Sequence, residues 1–292
     1  MKWLIKKIFP GSIQIYVKLH TKLLAIAVAF AESGRGNWLR SHVPFFLPRR
    51  NLARQAHGLP GNHSSRRLNK IADYMNSAST YLEIGVADGT TLEAVKLPFR
   101  WGVDPQPTFN HYLLPEGCRF SVATSDQFFG EISKEVRFDL IFLDGLHHWE
   151  QTYKDLINSF SHANKQTVIL MDDVIPSDEF SSWRNSSEAV AARLAAGGSN
   201  FNWHGDTYKV LIALKDHHPE LEWCVVNDEP NPQAIIWKKR DKDVVKCLAP
   251  FSSYDSVNYA DIFVDGSPPA YFNCVSESLA FNLVKSALEL KN

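Results

Sequence analysis

The chain has 292 residues, room for one large domain with attachments or two small ones. Its 45% hydrophobic and 22% charged content is that of a soluble globular protein with a sizeable core. Net charge is close to zero, with 31 Lys+Arg against 32 Asp+Glu, which argues against nucleic-acid binding through bulk positive charge.

The amino end is the most basic part, and it carries the apolar run Leu23–Ala31. Nine apolar residues are too few to span a bilayer, and Lys18, His20 and Lys22 break the upstream extension. A packed or capping helix, an interfacial membrane helix and a targeting segment all remain compatible with residues 1–31. Peripheral membrane contact through that segment therefore stays open. Cys118, Cys224, Cys247 and Cys274 form no CxxC pair, so they suit neither zinc nor a disulfide framework. A soluble protein of a reducing, cytoplasmic compartment is the expectation.

Residues 33–65 are rich in Gly, Pro, Ser, Asn and Arg and read as an irregular connection. Asn62-His-Ser-Ser followed by 66–74 reads as a capped helix. Apolar runs then recur at 81–86, 99–103, 120–123, 138–143 and 168–171, with a clear helix at 155–162. Strands alternating with helices predict an α/β, doubly wound, Rossmann-like and mostly parallel sheet. Beyond it, 186–196 and 207–217 read as helices. Segments 221–226 and 234–238 read as a closing antiparallel strand pair, and a terminal helix is expected near 276–290. The expected organisation is an extension at 1–65, the main domain at 66–240 and a loop-and-helix extension at 241–292.

Two of the apolar runs end abruptly in acids: Phe138–Leu143 before Asp144, and Val168–Met171 before Asp172-Asp173. Strands of this kind place all three carboxylates on the carboxyl rim of a parallel sheet, where open α/β sheets bind ligands. Converging carboxylates with His147 three residues past the first suit a hard cation and a base. At the first strand, Gly85 and Gly89 allow a tight strand-to-helix turn and close approach of a ligand. Asp104 ends the second strand nineteen residues after Gly85, where an acid can accept hydrogen bonds from ribose hydroxyls. A plain turn at Asp104-Pro105 is the competing account.

Five pieces in this order resemble class I S-adenosylmethionine-dependent methyltransferases, and within them the branch of catechol-type and macrolide-sugar O-methyltransferases. They are Leu82-Glu-Ile-Gly-Val-Ala-Asp-Gly-Thr, Gly102-Val-Asp104-Pro, Thr124-Ser125-Asp126, Asp144-Gly-Leu-His147 and Met171-Asp-Asp173. The resemblance covers roughly residues 66–240. It implies that Glu83, Gly85, Asp88, Gly89 and Thr90 surround the methionine part of S-adenosylmethionine, that Asp104 holds its ribose, and that Ser125 and Asp126 lie beside the adenine. It also implies a divalent cation on Asp144, Asp172 and Asp173 that holds two substrate oxygens. All-oxygen ligation favours Mg2+, with manganese or calcium also admissible. Asp144 as a turn former and Asp172-Asp173 as a helix cap are the structural readings of the same residues.

The resemblance makes His147, beside Asp144, the candidate general base, with His148 as the other candidate; both could instead bracket a helix start. Trp203, His204 and Asp206 could line an acceptor pocket, or Asp206 could cap the helix that follows Gly205. Trp149 reads as a wall of the site or as core, and His217-His218 as partners of helix-end carbonyls. The expected protein is an O-methyltransferase acting on a hydroxyl of a saccharide or other polyhydroxylated small molecule. A non-catalytic cofactor-binding scaffold or partner subunit is the second reading, and oligomers are admissible. A nicotinamide-dependent oxidoreductase is disfavoured because Gly85-x-x-x-Gly89 lacks the GxGxxG spacing.

Overall fold

Eight strands form one sheet: β1 (Thr80–Ile84), β2 (Phe99–Val103), β3 (Cys118–Ser121), β4 (Phe138–Leu143), β5 (Ala163–Met171), β6 (Leu221–Val226), β7 (Gln233–Lys238) and β8 (Cys274–Val275). In space they run β3-β2-β1-β4-β5-β7-β6-β8. All neighbours are parallel except the two pairs that β7 makes, with β5 and with β6. The computed structural model describes residues 61–75, 77–228, 231–239 and 254–290. They belong to one compact unit, Gly58–Asn292. The expected amino-terminal helix at 1–31, most of the irregular connection and Cys247 lie outside the described residues.

Apolar runs make central strands here because both faces of the sheet are covered. Along β4, Ile141 and Leu143 enter the core on one face while Leu140 and Phe142 enter the other; Ile169 and Met171 alternate with Val168 and Leu170 in β5. The first face is closed by α4 (Trp149–Ser161) and α6 (Lys209–His217), through residues such as Leu156 and Leu211. The second is closed by α1 (His63–Ala72), α2 (Thr90–Ala94) and α8 (Glu277–Glu289), through Leu68, Leu92 and Val284. Burial of this kind stabilises by about 1.5–3 kcal/mol per large apolar side chain. Three further helices are α3 (Ser125–Glu131), α5 (Ser186–Ala195) and α7 (Tyr259–Ile262).

Several boundaries differ from the sequence pattern, each for a local reason. Strand β5 starts five residues before its apolar run, because Ala163 already pairs with Phe138, ahead of an irregularity after which the ladder resumes at Val168. Helix α4 starts at Trp149 rather than 155, since the Asp206 carboxylate accepts from the Trp149 N–H at 2.9 Å. Strand β8 and helix α8 come from the expected carboxyl-terminal extension, yet they join the main sheet and one of its faces.

The first turn of α8 is tied to α1 by charge. Both Arg66 nitrogens and Arg67 Nε donate to Glu277, the last at 2.7 Å. The Arg66 contact first, then Arg67, pulls the Glu277 carboxyl down to about 2. A depressed carboxyl adds stability that is complete above its unfolded value of about 4.3 and is lost as pH falls toward 2. Glu277→Gln should therefore cost about 2–3 kcal/mol in urea unfolding at pH 7, since it leaves the buried Arg67 without its carboxylate. The gap between variant and wild type should close between pH 5 and 2; a gap independent of pH would contradict the assignment.

Candidate active site

The spatial order reverses between β1 and β4, so a crevice opens beyond their carboxyl ends. Gly85 follows β1 with φ +83°, and its N–H donates to Val103 at 2.9 Å. A Cβ on Gly85 would sit 1.9 Å from the Asp144 carbonyl oxygen. Glycine is demanded here by the neighbouring chain after β4, which brings the glycine turn and the acid loop against each other. The turn continues through Ala87 at φ +46° to Gly89, the left-handed residue that opens α2.

Asp104 fastens this turn. Its Oδ2 accepts from the N–H groups of Val86 and Ala87, both at 2.9 Å, and Oδ1 accepts from Gln106 N at 2.7 Å. A carboxylate retains lone pairs after three such bonds, so ribose hydroxyls can still donate to it. Asp88 accepts from Thr90 N at 3.0 Å and shapes the start of α2. Glu83 is different: it is 1% exposed, accepts from Tyr81 Oη at 2.7 Å, and burial pushes its carboxyl well above the usual range.

Ser125 is buried and Asp126 exposed in the first turn of α3, behind the Thr124 capping box. Both accept from Gln151 Nε2 at 3.1 Å, and the same nitrogen reaches Asp155 at 3.0 Å. Burial raises the Asp155 carboxyl to about 6. Neither Gln151 nor Asp155 was among the expected site residues. Their signal was a polar pair four residues apart on the helix behind the Asp144 loop, which reads equally as a solvated helix face.

The acids at the ends of β4 and β5 converge on an imidazole. His147 Nε2 lies 3.2 Å from Asp144 Oδ1 and its Nδ1 lies 2.9 Å from Asp173 Oδ2. One ligand atom from each of Asp144, His147 and Asp173 falls within 4.8 Å of the others. Two carboxylate oxygens and a ring nitrogen so placed suit a divalent cation. Asp172 stands apart from that trio. Its Oδ1 is taken up by Asn231 Nδ2 at 2.6 Å and by Asp173 N at 2.9 Å. Burial first, and then Asp144 and Asp173, raise Asp172 well above the usual carboxylate range. Burial would lower His147, but hydrogen bonds and charge from Asp144 and Asp173 lift it to about 10. Those two acids therefore favour the protonated form of the His147 ring.

The rest of the loop is set by Gly205, whose φ is +62° and whose Cβ would lie 1.9 Å from the His147 carbonyl oxygen. This close passage stacks Trp203 on His147 with ring centroids 4.9 Å apart, while Trp203 Nε1 donates to Trp183 O at 2.6 Å. His204 Nε2 lies 3.9 Å from Asp173 Oδ1. Asp206 does not cap the helix after Gly205, which begins at Lys209 behind Tyr208. It caps α4 and pairs with Arg184 at 2.8 Å and Lys209 at 3.4 Å. His148 precedes α4 with its Nε2 3.3 Å from Arg184 O, and Trp149 is core, at 0% exposure. His218 is likewise not a partner of helix-end carbonyls; its ring joins Tyr153 Oη at 2.6 Å to Glu220 Oε1 at 2.8 Å inside the protein.

A family model described as a methyltransferase domain matches residues 82–174, the stretch from the first strand to just past Asp173. That stretch resembles a methyltransferase domain and lies on the Rossmann-like part of the sheet, with the glycine turn, Asp104 and the acid loop inside it. No curated protein matches the chain in sequence. Among solved structures, cofactor-bound Rv0187 from MTB is 16% identical, with 81% of this chain and 94% of that one covered and a TM-score of 0.45. An O-methyltransferase from Bacillus cereus in complex with SAH is 14% identical, covering 68% and 94%, with a TM-score of 0.42. Among the described residues, no helix is long and apolar enough to cross a membrane.

Proposed function

We propose that the protein transfers the methyl group of S-adenosylmethionine to a hydroxyl of a saccharide or other polyhydroxylated small molecule, assisted by a divalent cation, with Mg2+ the first candidate. The observation that carries this reading is the convergence of Asp144 and Asp173 on His147, one strand away from the turn that Asp104 fastens. In the transfer, the acceptor oxygen forms a bond to the methyl carbon, the bond from that carbon to sulfur breaks, and the hydroxyl proton passes to a base. A divalent cation, when bound, supplies charge that lowers the pKa of the acceptor hydroxyl.

The chain's own residues supply position and proton handling. Asp104 offers acceptor oxygens to ribose hydroxyls, and Ser125 and Asp126 border the expected adenine side. Asp144 and Asp173 offer oxygens to a hard cation, with Asp172 behind them, and His147 sits where it can take a proton once it is neutral. Trp203, stacked on His147, and the exposed Leu146 next to it in the chain give apolar faces, and such faces suit the C–H sides of a sugar.

Calorimetric titration with S-adenosylhomocysteine tests the cofactor half directly. Binding by the wild type, weakened about 10–150-fold in Asp104→Ala, is the expected result, because hydrogen bonds to a charged group are worth about 1.5–3 kcal/mol. Unchanged affinity in a folded Asp104→Ala variant would remove the ribose from this position. Transfer indifferent to exhaustive EDTA treatment would remove the cation.

A further inference from the structure

Asn231, just before β7, reaches the acid pair, and nothing in the methyltransferase reading uses it. Asn231 Nδ2 lies 2.6 Å from Asp172 Oδ1 and 3.0 Å from Asp173 Oδ1, so one amide group donates to both carboxylates. The chemistry of the choice is specific. An amide carries two N–H donors and no charge, so it can orient two adjacent carboxylates without neutralising them. A lysine or arginine at this place would orient them and also cancel the charge that a cation needs. Held in this way, Asp173 keeps Oδ2 for His147 Nδ1 at 2.9 Å.

Asn231 is itself anchored by a buried cation. Arg67 is 0% exposed and donates to Asn231 O at 2.6 Å, Asp228 O at 3.0 Å, Gln233 Oε1 at 2.8 Å and Glu277 Oε1 at 2.7 Å. Gln233 in turn donates to Ser64 Oγ at 2.8 Å. One guanidinium thus ties the start of β7, helix α1 and helix α8 to the backbone that carries Asn231. Burying a cation is expensive unless every donor finds an acceptor, and here the acceptors belong to a single segment and its anchors.

We propose that Asn231 is a positioning residue of the acid site: its amide fixes Asp172 and Asp173 for cation and proton chemistry, and Arg67 with Glu277 holds it there. This rests on the methyltransferase reading above, and the test separates the two. The variants are Asn231→Leu, which keeps the volume and removes both donors, and Asn231→Gln, which restores an amide on a longer stem. Three readouts are compared with wild type: S-adenosylhomocysteine affinity by calorimetry, Mn2+ affinity by electron paramagnetic resonance, and the His147 ring nitrogen resonances.

Asn231→Leu should bind S-adenosylhomocysteine within twofold of wild type while Mn2+ affinity falls at least tenfold and the His147 resonances move. Asn231→Gln should recover part of both losses. Mn2+ affinity and His147 resonances that match wild type in Asn231→Leu would overturn the proposal, as would equal loss of cofactor binding and Mn2+ binding, which marks a merely structural residue. If Asn231→Leu does not fold, the same comparison on Asn231→Gln decides, with displaced His147 resonances expected and unmoved ones overturning it. A wild type that binds no Mn2+ ends the cation reading, and the His147 resonances alone then judge Asn231. A wild type that ignores S-adenosylhomocysteine instead ends the methyltransferase reading.

Discussion

Gly85→Ala should be the most damaging small substitution in the crevice, lowering unfolding free energy by about 3 kcal/mol or more. Two penalties add. A left-handed conformation costs an L-residue about 1–2 kcal/mol, and the new methyl would stand 1.9 Å from the Asp144 carbonyl oxygen and 2.7 Å from the Gly145 Cα. Both neighbours are backbone, so neither can swing aside as a side chain could; β1 and β4 would have to part at the crevice. Gly197→Ala supplies the control, because Gly197 has φ +89° and nothing lies within 4 Å of where its methyl would stand. That variant should show the left-handed penalty alone, about 1 kcal/mol. Urea unfolding followed by circular dichroism measures both. If Gly85→Ala costs no more than Gly197→Ala, the close approach of the two loops is wrong.

The parts of this molecule that could be read from the residues are those in which a local pattern and a tertiary outcome coincide. Strands β2, β4 and β6 fall on their expected runs, and β4, apolar and buried on both faces, does so most directly. Asn62 caps α1 as its sequence promises, accepting from Ser65 N at 2.8 Å. Asp144 and Asp173 meet because neighbouring parallel strands must end on the same rim, and that follows from the alternation alone. Sequence could not show which atoms each acid would face. Asp206 looked like a cap for the helix beside it, yet it caps α4, from 57 positions away in the chain. Asn231 lies in a turn whose polarity reads as solvent exposure; only the fold of β7 back along β5 carries its amide to Asp172. The double role of His147 is of the same kind. Its spacing from Asp144 was visible, whereas its contact with Asp173 comes from a second strand and a left-handed backbone at φ +58°.

That double contact sets the final expected result. His147→Gln should leave S-adenosylhomocysteine affinity nearly intact and slow methyl transfer by about 10²–10⁴-fold, the range for a positioned base. The pH dependence follows from the charges around the ring. Burial opposes the protonated form, but Asp144 and Asp173 overcome it and raise the imidazole to about 10. A raised histidine stabilises the fold fully below its unfolded value near 6.5, and that contribution is lost as pH climbs through 10. The stability difference between wild type and His147→Gln should therefore shrink from pH 6.5 to 10, by on the order of 2–3 kcal/mol. Proton acceptance has the opposite dependence, since only neutral imidazole can act. Without added cation, transfer should keep rising with pH into the alkaline range. Added Mg2+ should move that rise to lower pH, because positive charge at Asp144 and Asp173 offsets the field that holds the proton on the ring. A stability difference that is flat from pH 6.5 to 10 would remove the ion pairs. Full transfer in His147→Gln with an unchanged pH profile would remove the base, and His148→Gln under the same measurements would then show whether its neighbour serves instead.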